Sequence, residues 1–183
     1  MNRADALAFL REKVKNQNLF KHSLAVEAVM RRLARNFKED EEKWALAGLL
    51  HDIDYEETKD NPEVHSLRGA AMLIEKELEP EIIDAVKAHN EIHGIPRKTK
   101  IAQALYCTDP LTGLIVAATL VLPDKKIANL SVDNILNRFK ENSFAKGANR
   151  KVISACQELN LNLEKFAEIG LEAMQSINKE IGL

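Results

Sequence analysis

Cysteine, glycine and proline are scarce in this sequence, and their scarcity narrows the class of protein. The 183 residues include two cysteines, seven glycines and five prolines, and no stretch is poor enough in hydrophobic residues to predict disorder. Cys107 and Cys156 lack CxxC spacing, and Cys107 lies among apolar residues, which is typical of a small buried thiol. We therefore expect a compact soluble protein whose core needs no disulfide or structural metal, with neither cysteine as a ligand or nucleophile.

A strong charge of one sign and a long hydrophobic run are also missing. The net charge of −2 provides no dominant positive field, so we expect neither a nucleic-acid polymer nor an anionic membrane as partner. The longest apolar run, residues 111–122, is interrupted by threonine and glycine and is too short to span a bilayer. The N-terminal residues carry an early Asp5 and no signal-peptide hydrophobic region. These features predict a cytoplasmic protein that acts on a small molecule.

Apolar residues recur at helical spacing along the chain, and runs of alternating β-branched residues are few. The pattern predicts an all-α, single-domain helical bundle over residues 1–183, with a core over about 19–122 and C-terminal helices over 131–183 as cover. Helices are expected near residues 4–15, 21–33, 40–51, 62–78, 80–92, 99–122, 131–139, 147–159 and 163–180.

One stretch, residues 46–55, ends an apolar run abruptly at a histidine and two carboxylates: His51, Asp52 and Asp54. Burying an ionised carboxylate beside an imidazole costs several kcal/mol unless something compensates, and a divalent cation is one such compensation. The alternative is a solvated loop after a core helix. Asp54 has three interpretations of its own, since it could orient a ligand histidine, act as a general base or cap the loop.

Other histidines and a further aspartate are possible partners, and each has an ordinary structural explanation. His22 faces the apolar side of the second helix and could be a core histidine bonded to a carbonyl, whereas His65 falls in the first turn of the fourth helix and could face solvent. His89 has i,i+4 spacing to His93, which can chelate a metal, although Gly94 ends that helix.

Asp109 precedes Pro110, which predicts a kink in the long helix or an N-cap for a helix that starts at the proline. Imidazoles and carboxylates together form a mixed nitrogen and oxygen donor set, which suits one or two ions of Fe, Mn, Zn, Co or Ni. The complete set of metal-ligand candidates is His22, His51, Asp52, His65, His89 and Asp109.

The order of these residues resembles the H…HD…D signature of the HD superfamily of metal-dependent phosphohydrolases. The segment from Gly48 to Ile53 is similar to the family's apolar run followed by HDI, and the resemblance covers about residues 19–122. It implies an all-α fold with the site between helices and hydrolysis of a phosphate ester by a metal-activated hydroxide. It also implies that Asp52 bridges a first ion, held by His22, His51 and Asp109, and a second ion, held by His65 and His89.

The sequence departs from two subsets of that superfamily. Asp54 and Tyr55 stand where the HDIGK variant has glycine and a phosphate-binding lysine. His89 is followed by Asn90, so the paired-histidine pattern of cyclic-dinucleotide phosphodiesterases is also absent. Another cation must bind the phosphate, although a solvated helix face explains each candidate equally well. The candidates are Arg68, Lys87, Lys146, Arg150 and Lys151.

We expect hydrolysis of a small phosphate monoester, or of a nucleotide or other phosphodiester, with Asp52 and Asp54 as the catalytic candidates. Two alternatives remain open at this point. The first is a diiron oxygenase of the HD type, because the same two-metal ligand set occurs in a few oxygen-using members. The second is a non-catalytic regulatory module that binds a nucleotide.

Overall fold

The computed structural model describes residues 1–183, and all of its regular secondary structure is helical, which confirms the all-α prediction. Three short 3₁₀ helices lie at Glu91–His93, Ile127–Asn129 and Ala155–Leu159. The α-helices are α1 (Arg3–Lys13), α2 (Gln17–Phe37), α3 (Glu41–Leu50), α4 (Tyr55–Thr58), α5 (Leu67–Glu75), α6 (Pro80–His89), α7 (Lys100–Leu120), α8 (Val132–Lys140), α9 (Arg150–Ser154), α10 (Leu163–Ser176) and α11 (Asn178–Ile181).

Polar side chains fix the starting points of the three helices that matter most for the site. Asn16 accepts hydrogen bonds from the first N–H groups of α2, Asp40 does so for α3, and Thr99 for α7. These caps satisfy donors that have no partner inside the helix, each contributing about 1 kcal/mol. The first residue of each of these helices is therefore fixed by its own cap.

The backbones of α2 and α3 touch at Gly48. A Cβ added there would lie 2.9 Å from the Val26 carbonyl oxygen and 3.0 Å from the backbone of Glu27. Only a residue without a side chain permits this approach. Since Gly48 lies one turn before His51, the contact also brings the end of α3 against the α2 face that carries His22.

α7 passes through the centre of the molecule. It is the one helix that is long and apolar enough to cross a membrane by length and composition, with a mean hydropathy of 1.3, and 67% of that stretch is buried inside the protein. It packs against α2, α6, α9 and α10 within a continuous core of 48 buried residues. α7 also continues through Pro110, so no new helix starts at the proline and the N-cap interpretation of Asp109 is wrong. The proline costs one backbone hydrogen bond, and burial of the flanking turns keeps the helix intact.

The predicted boundaries differ from the structure where tertiary contacts outweigh local signals. The helix expected over 62–78 begins only at Leu67, and the preceding residues form turns in which Ser66 has a positive φ of 70°. The N–H of Ser66 donates to the buried Asp54 carboxylate, and this contact holds the turn in place of a helix start at Asn61. α6 ends at His89, before the predicted residue 92, because Asn90 adopts an extended conformation. The helix expected over 147–159 is split into α9 and a 3₁₀ helix, and the one over 163–180 is split at Ile177.

We expect Gly48→Ala to destabilise the fold by about 1–3 kcal/mol, because the new methyl group collides with rigid backbone of α2. Urea unfolding monitored by circular dichroism measures the change. Gly113→Ala is the matched control, since a Cβ at this position in α7 meets nothing within 4 Å. It should stabilise the protein by about 1 kcal/mol through helix propensity. Equal stability of Gly48→Ala and the wild type would contradict the close approach of α2 and α3.

Candidate metal centre

The structure brings all six metal-ligand candidates together at the meeting point of five elements. Two of the histidines lie at the C-terminal ends of helices, where the chain leaves the helix and the side chain turns into the interior. The six are His22 in α2, His51 after α3, Asp52 in the following turn, His65 in the turn before α5, His89 at the end of α6 and Asp109 in the middle of α7.

The carboxylate of Asp52 lies at the centre of this cluster, and its two oxygens face different histidines. Oδ2 lies 3.4 Å from His51 Nε2 and 3.8 Å from His22 Nε2. Oδ1 lies 3.3 Å from His65 Nε2 and 3.5 Å from His89 Nε2. A carboxylate in this position can bridge two ions.

Asp109 completes the donor set on one side of the cluster. Its Oδ1 lies 3.0 Å from His22 Nε2 and 3.9 Å from His51 Nε2. With Asp52 Oδ2, these residues place four donors around one position. The second position has three donors, from His65, His89 and Asp52 Oδ1, which leaves room for water or substrate.

Two of the imidazoles are oriented by carbonyls of their own helices. His51 Nδ1 lies 2.8 Å from the Gly48 carbonyl oxygen, and His89 Nδ1 lies 2.6 Å from that of Val86. A carbonyl oxygen only accepts, so the proton of each neutral ring is on Nδ1. The lone pair of each Nε2 is then free and points into the cluster.

The other two imidazoles are oriented by side chains. His22 Nδ1 lies 3.2 Å from the Thr112 hydroxyl, which donates its own proton to the Asp109 carbonyl oxygen and must therefore accept from the ring. His65 Nδ1 lies 3.1 Å from Asp54 Oδ1. A carboxylate behind a histidine fixes its tautomer and increases its basicity as a ligand.

The surroundings of His51 Nε2 show whether these residues fit a metal ion. It is completely buried and makes no hydrogen bond. Leaving such an atom unpaired costs about 1–3 kcal/mol, and no polar hydrogen is aimed at it. A cation between this nitrogen and the two carboxylates satisfies it, so the donor set fits a divalent transition ion.

The protonation of the cluster is set by the balance between burial, which disfavours charge, and the attraction between the histidines and the carboxylates. Burial disfavours a charged His51, but the Asp52 and Asp109 carboxylates outweigh it and raise the pKa of His51 to about 9. Burial likewise opposes the ionised Asp52, yet His51, His65 and His89 hold its pKa well below the ordinary value. The carboxylates are thus ionised although buried, and they require positive charge beside them, either protons on the histidines or a metal ion that displaces those protons and leaves each Nε2 free as a ligand.

Asp54 lies behind the cluster. It is completely buried, its carboxylate accepts the Ser66 N–H at 2.9 Å, and its backbone oxygen accepts the Thr58 hydroxyl. A Cβ on Gly69 would lie 3.0 Å from Asp54 Oδ1, so α5 is packed directly against the Asp54 carboxylate. This geometry favours the interpretation of Asp54 as the residue that orients His65 over that of a general base.

Arg150 is not free to bind phosphate, contrary to its selection from the sequence. Its N–H groups point at the last turn of α8 and at the loop between α8 and α9, where distances of 2.6–3.2 Å join the guanidinium to six carbonyl oxygens. The physical reason is that the last carbonyls of α8 and those of the loop converge on one point, where a single planar group with several donors satisfies them. The acceptors are Arg138, Phe139, Glu141, Phe144, Ala145 and Ala148.

The remaining cation candidates lie at the surface. Arg68 is paired with Glu57 and the Lys87 ammonium lies 4.0 Å from an aspartate on the same helix, so both have carboxylate neighbours. Lys146 and Lys151 are exposed in the loop and helix around Arg150. None of the four lines the cleft at the cluster.

That cleft has a volume of about 240 Å³ and is bordered by His65, His89 and Asp109. Tyr55 and Tyr106 also line it, and neither was selected from the sequence as a site residue. Thr112 was missed as well. The spacing of Tyr106, Asp109 and Thr112, one turn apart on α7, is the signal that could have identified two of these residues.

Comparison with known proteins gives one family. Residues 19–118 match the family described as HD domain, which confirms the resemblance drawn from the order of histidines and aspartates. Ribonuclease Y of Lawsonia intracellularis is 30% identical over 139 residues, which are 74% of this chain and 26% of that protein. Ribonuclease Y of Nitratidesulfovibrio vulgaris (strain DP4) is 31% identical over 126 residues, 68% of this chain and 24% of that protein. The chain therefore spans about a quarter of the length of these relatives.

Thr112→Val should weaken metal binding by about 10- to 100-fold, because the His22 Nδ1–H loses its acceptor and the ring is no longer held toward Asp109. Titration of metal-stripped protein against a competing chelator measures the affinity. Thr112→Ser keeps the hydroxyl and should retain wild-type affinity. Wild-type affinity in Thr112→Val would contradict this role.

Proposed function

The chain belongs to the HD domain family, and we propose that it is a metal-dependent phosphohydrolase that acts on a small phosphate monoester, or on a nucleotide or other phosphodiester. One observation carries the proposal. Four imidazoles, each fixed through Nδ1, direct Nε2 at the two oxygens of Asp52. This arrangement matches what two ions with a shared carboxylate require.

Asp52 would bridge the ions, with His22, His51 and Asp109 on one and His65 and His89 on the other. Such ions, of Fe, Mn, Zn, Co or Ni, supply an activated water and offset the charge that develops on phosphoryl oxygens. His22 and Asp109 form the solvent-facing edge of the cluster, with 23% and 35% of their side chains exposed. A phosphoryl group would approach at this edge, while the buried His51 holds the far side.

The cleft at the cluster supports a small substrate. Its volume of about 240 Å³ lies below the range of about 300–1,000 Å³ typical of ligand pockets, and it admits a phosphoryl group with a short extension. Apart from the ligand Asp109, its lining includes one acidic residue, Glu91, and no lysine or arginine. A polyanion would meet repulsion here, whereas a single phosphoryl group is neutralised by the ions themselves.

The comparisons favour a second candidate function, hydrolysis of RNA. The relatives are ribonucleases by name, which weighs against the expectation that no nucleic-acid polymer is a partner. The proposal for a small substrate is supported instead by the acidic cleft and the net charge of −2. We therefore place the small phosphoester first and single-stranded RNA second.

The wild type, stripped of metal and reloaded with each of the five ions, should hydrolyse members of a panel of phosphate monoesters, nucleotides and phosphodiesters. Asp52→Asn should lose metal binding and fall to background turnover while remaining helical by circular dichroism. Asp133→Asn, in the exposed first turn of α8, makes the same change away from the site and should remain active. Three results contradict the proposal: active Asp52→Asn without metal, turnover only with oxygen, or nucleotide binding without any turnover.

A single-stranded oligoribonucleotide, assayed at the same concentration of phosphodiester bonds, should be cleaved more slowly than the preferred mononucleotide or monoester. The reason is that the cleft lacks the row of cations that a polyanionic strand requires. Gel analysis of labelled RNA beside phosphate release measures the ratio. Faster cleavage of the RNA would put the second candidate first.

A further inference from the structure

A second depression begins at the same cluster, and its lining is mostly apolar. It is a groove of about 500 Å³ between α2, α7 and the residues at and after the end of α11. His22, a metal-ligand candidate, is one of its lining residues. Nothing in the hydrolysis of a phosphoryl group explains an apolar space at this position.

One face of α7 forms the wall of this groove. Asp109 begins the face, and Gly113, Val116, Ala117 and Leu120 follow at i+4, i+7, i+8 and i+11. Leu120 is 49% exposed although it is large and apolar. The metal cluster and the groove therefore share a helix face as well as His22.

Lys21 lies on the α2 side of the groove, next to His22 in the chain. Its ammonium lies against Gly182, 2.8 Å from the position of an added Cβ, and no carboxylate is within 4.0 Å of it. The arginines of the larger cavity at the other end of α2 differ in this respect, since they are paired with glutamates, as Arg3 is with Glu27. Lys21 thus has no carboxylate partner within salt-bridge distance and can contribute positive charge beside the groove.

We propose that the groove binds the organic group of the substrate and that this group is uncharged and mainly apolar, aromatic or alkyl. The proposal rests on the proposed function for the phosphoryl half of the molecule. The phosphoryl group lies at the edge formed by His22 and Asp109, with Lys21 adding positive charge, and the organic group extends along α7. This binding is driven by the removal of apolar surface of the groove and of the organic group from water.

Gly113 provides the test position. A Cβ there meets nothing within 4 Å, so a side chain can start from this position toward the groove, and Gly113→Phe is designed to occupy it while removing a glycine from a helix interior. The probes are 1-naphthylphosphonate and methylphosphonate, which share the anion and cannot be hydrolysed at the phosphorus–carbon bond. Calorimetry on the metal-loaded wild type should show that naphthylphosphonate binds more than about tenfold more tightly than methylphosphonate.

Gly113→Phe should reduce this ratio to about one, and Ile74→Phe, an exposed position on α5, should keep it. Lys21→Met should weaken both probes by the same factor. Equal affinity of the two probes for the wild type, no binding of either, or an unchanged ratio in Gly113→Phe would overturn the proposal. A wild-type dimer that Gly113→Phe converts to a monomer would assign the groove to a second copy and overturn it as well.

The corresponding phosphates separate this proposal from the proposed function. Hydrolysis of methyl and naphthyl phosphate with equal kcat/KM contradicts the groove and leaves the phosphohydrolase intact. A naphthylphosphonate preference that Gly113→Phe removes, without hydrolysis of any phosphoester, supports the groove and contradicts the phosphohydrolase.

Discussion

The buried carboxylate of Asp52 is the constraint on which the rest of the structure depends. An ionised group removed from water costs several kcal/mol unless partners surround it, and here four imidazole nitrogens lie within 3.8 Å of its oxygens. These rings come from α2, α3, α6 and the turn before α5, so the elements must converge on one point. The contact at Gly48 and the passage of α7 through the core are the packing solutions that permit this convergence.

Helix ends orient two of the four ligand histidines. The last carbonyls of a helix have no N–H partner within it, and His51 and His89 use the carbonyls of Gly48 and Val86 for this reason. Such an arrangement is local, because the ring and its acceptor are three residues apart. His22 instead depends on Thr112, which is 90 residues away, so its orientation is set only when α2 and α7 have packed.

The same distinction decides how much could be predicted. Helical periodicity predicted nearly every helix, and the order of histidines and aspartates predicted which six residues meet. The turn that carries His65 could not be predicted, since Asn61 and Pro62 signal a helix start and the buried Asp54 carboxylate prevents it. Arg150 shows the same limit. Its charge can be read from the sequence, but the backbone carbonyls that accept its hydrogen bonds come together only in the folded structure.

The surroundings of the cluster, more than the cluster itself, determine the substrate. Metal ligands are compatible with any phosphoester, and a shared fold does not transfer a substrate. A strand of RNA carries a charge at every nucleotide and requires a row of cations, whereas this site has one unpaired lysine beside an apolar groove and an acidic residue, Glu91, in the cleft. The likeness to ribonucleases covers about a quarter of their length, and the charge pattern around the cluster supports the proposal of one phosphoryl group on an apolar carrier.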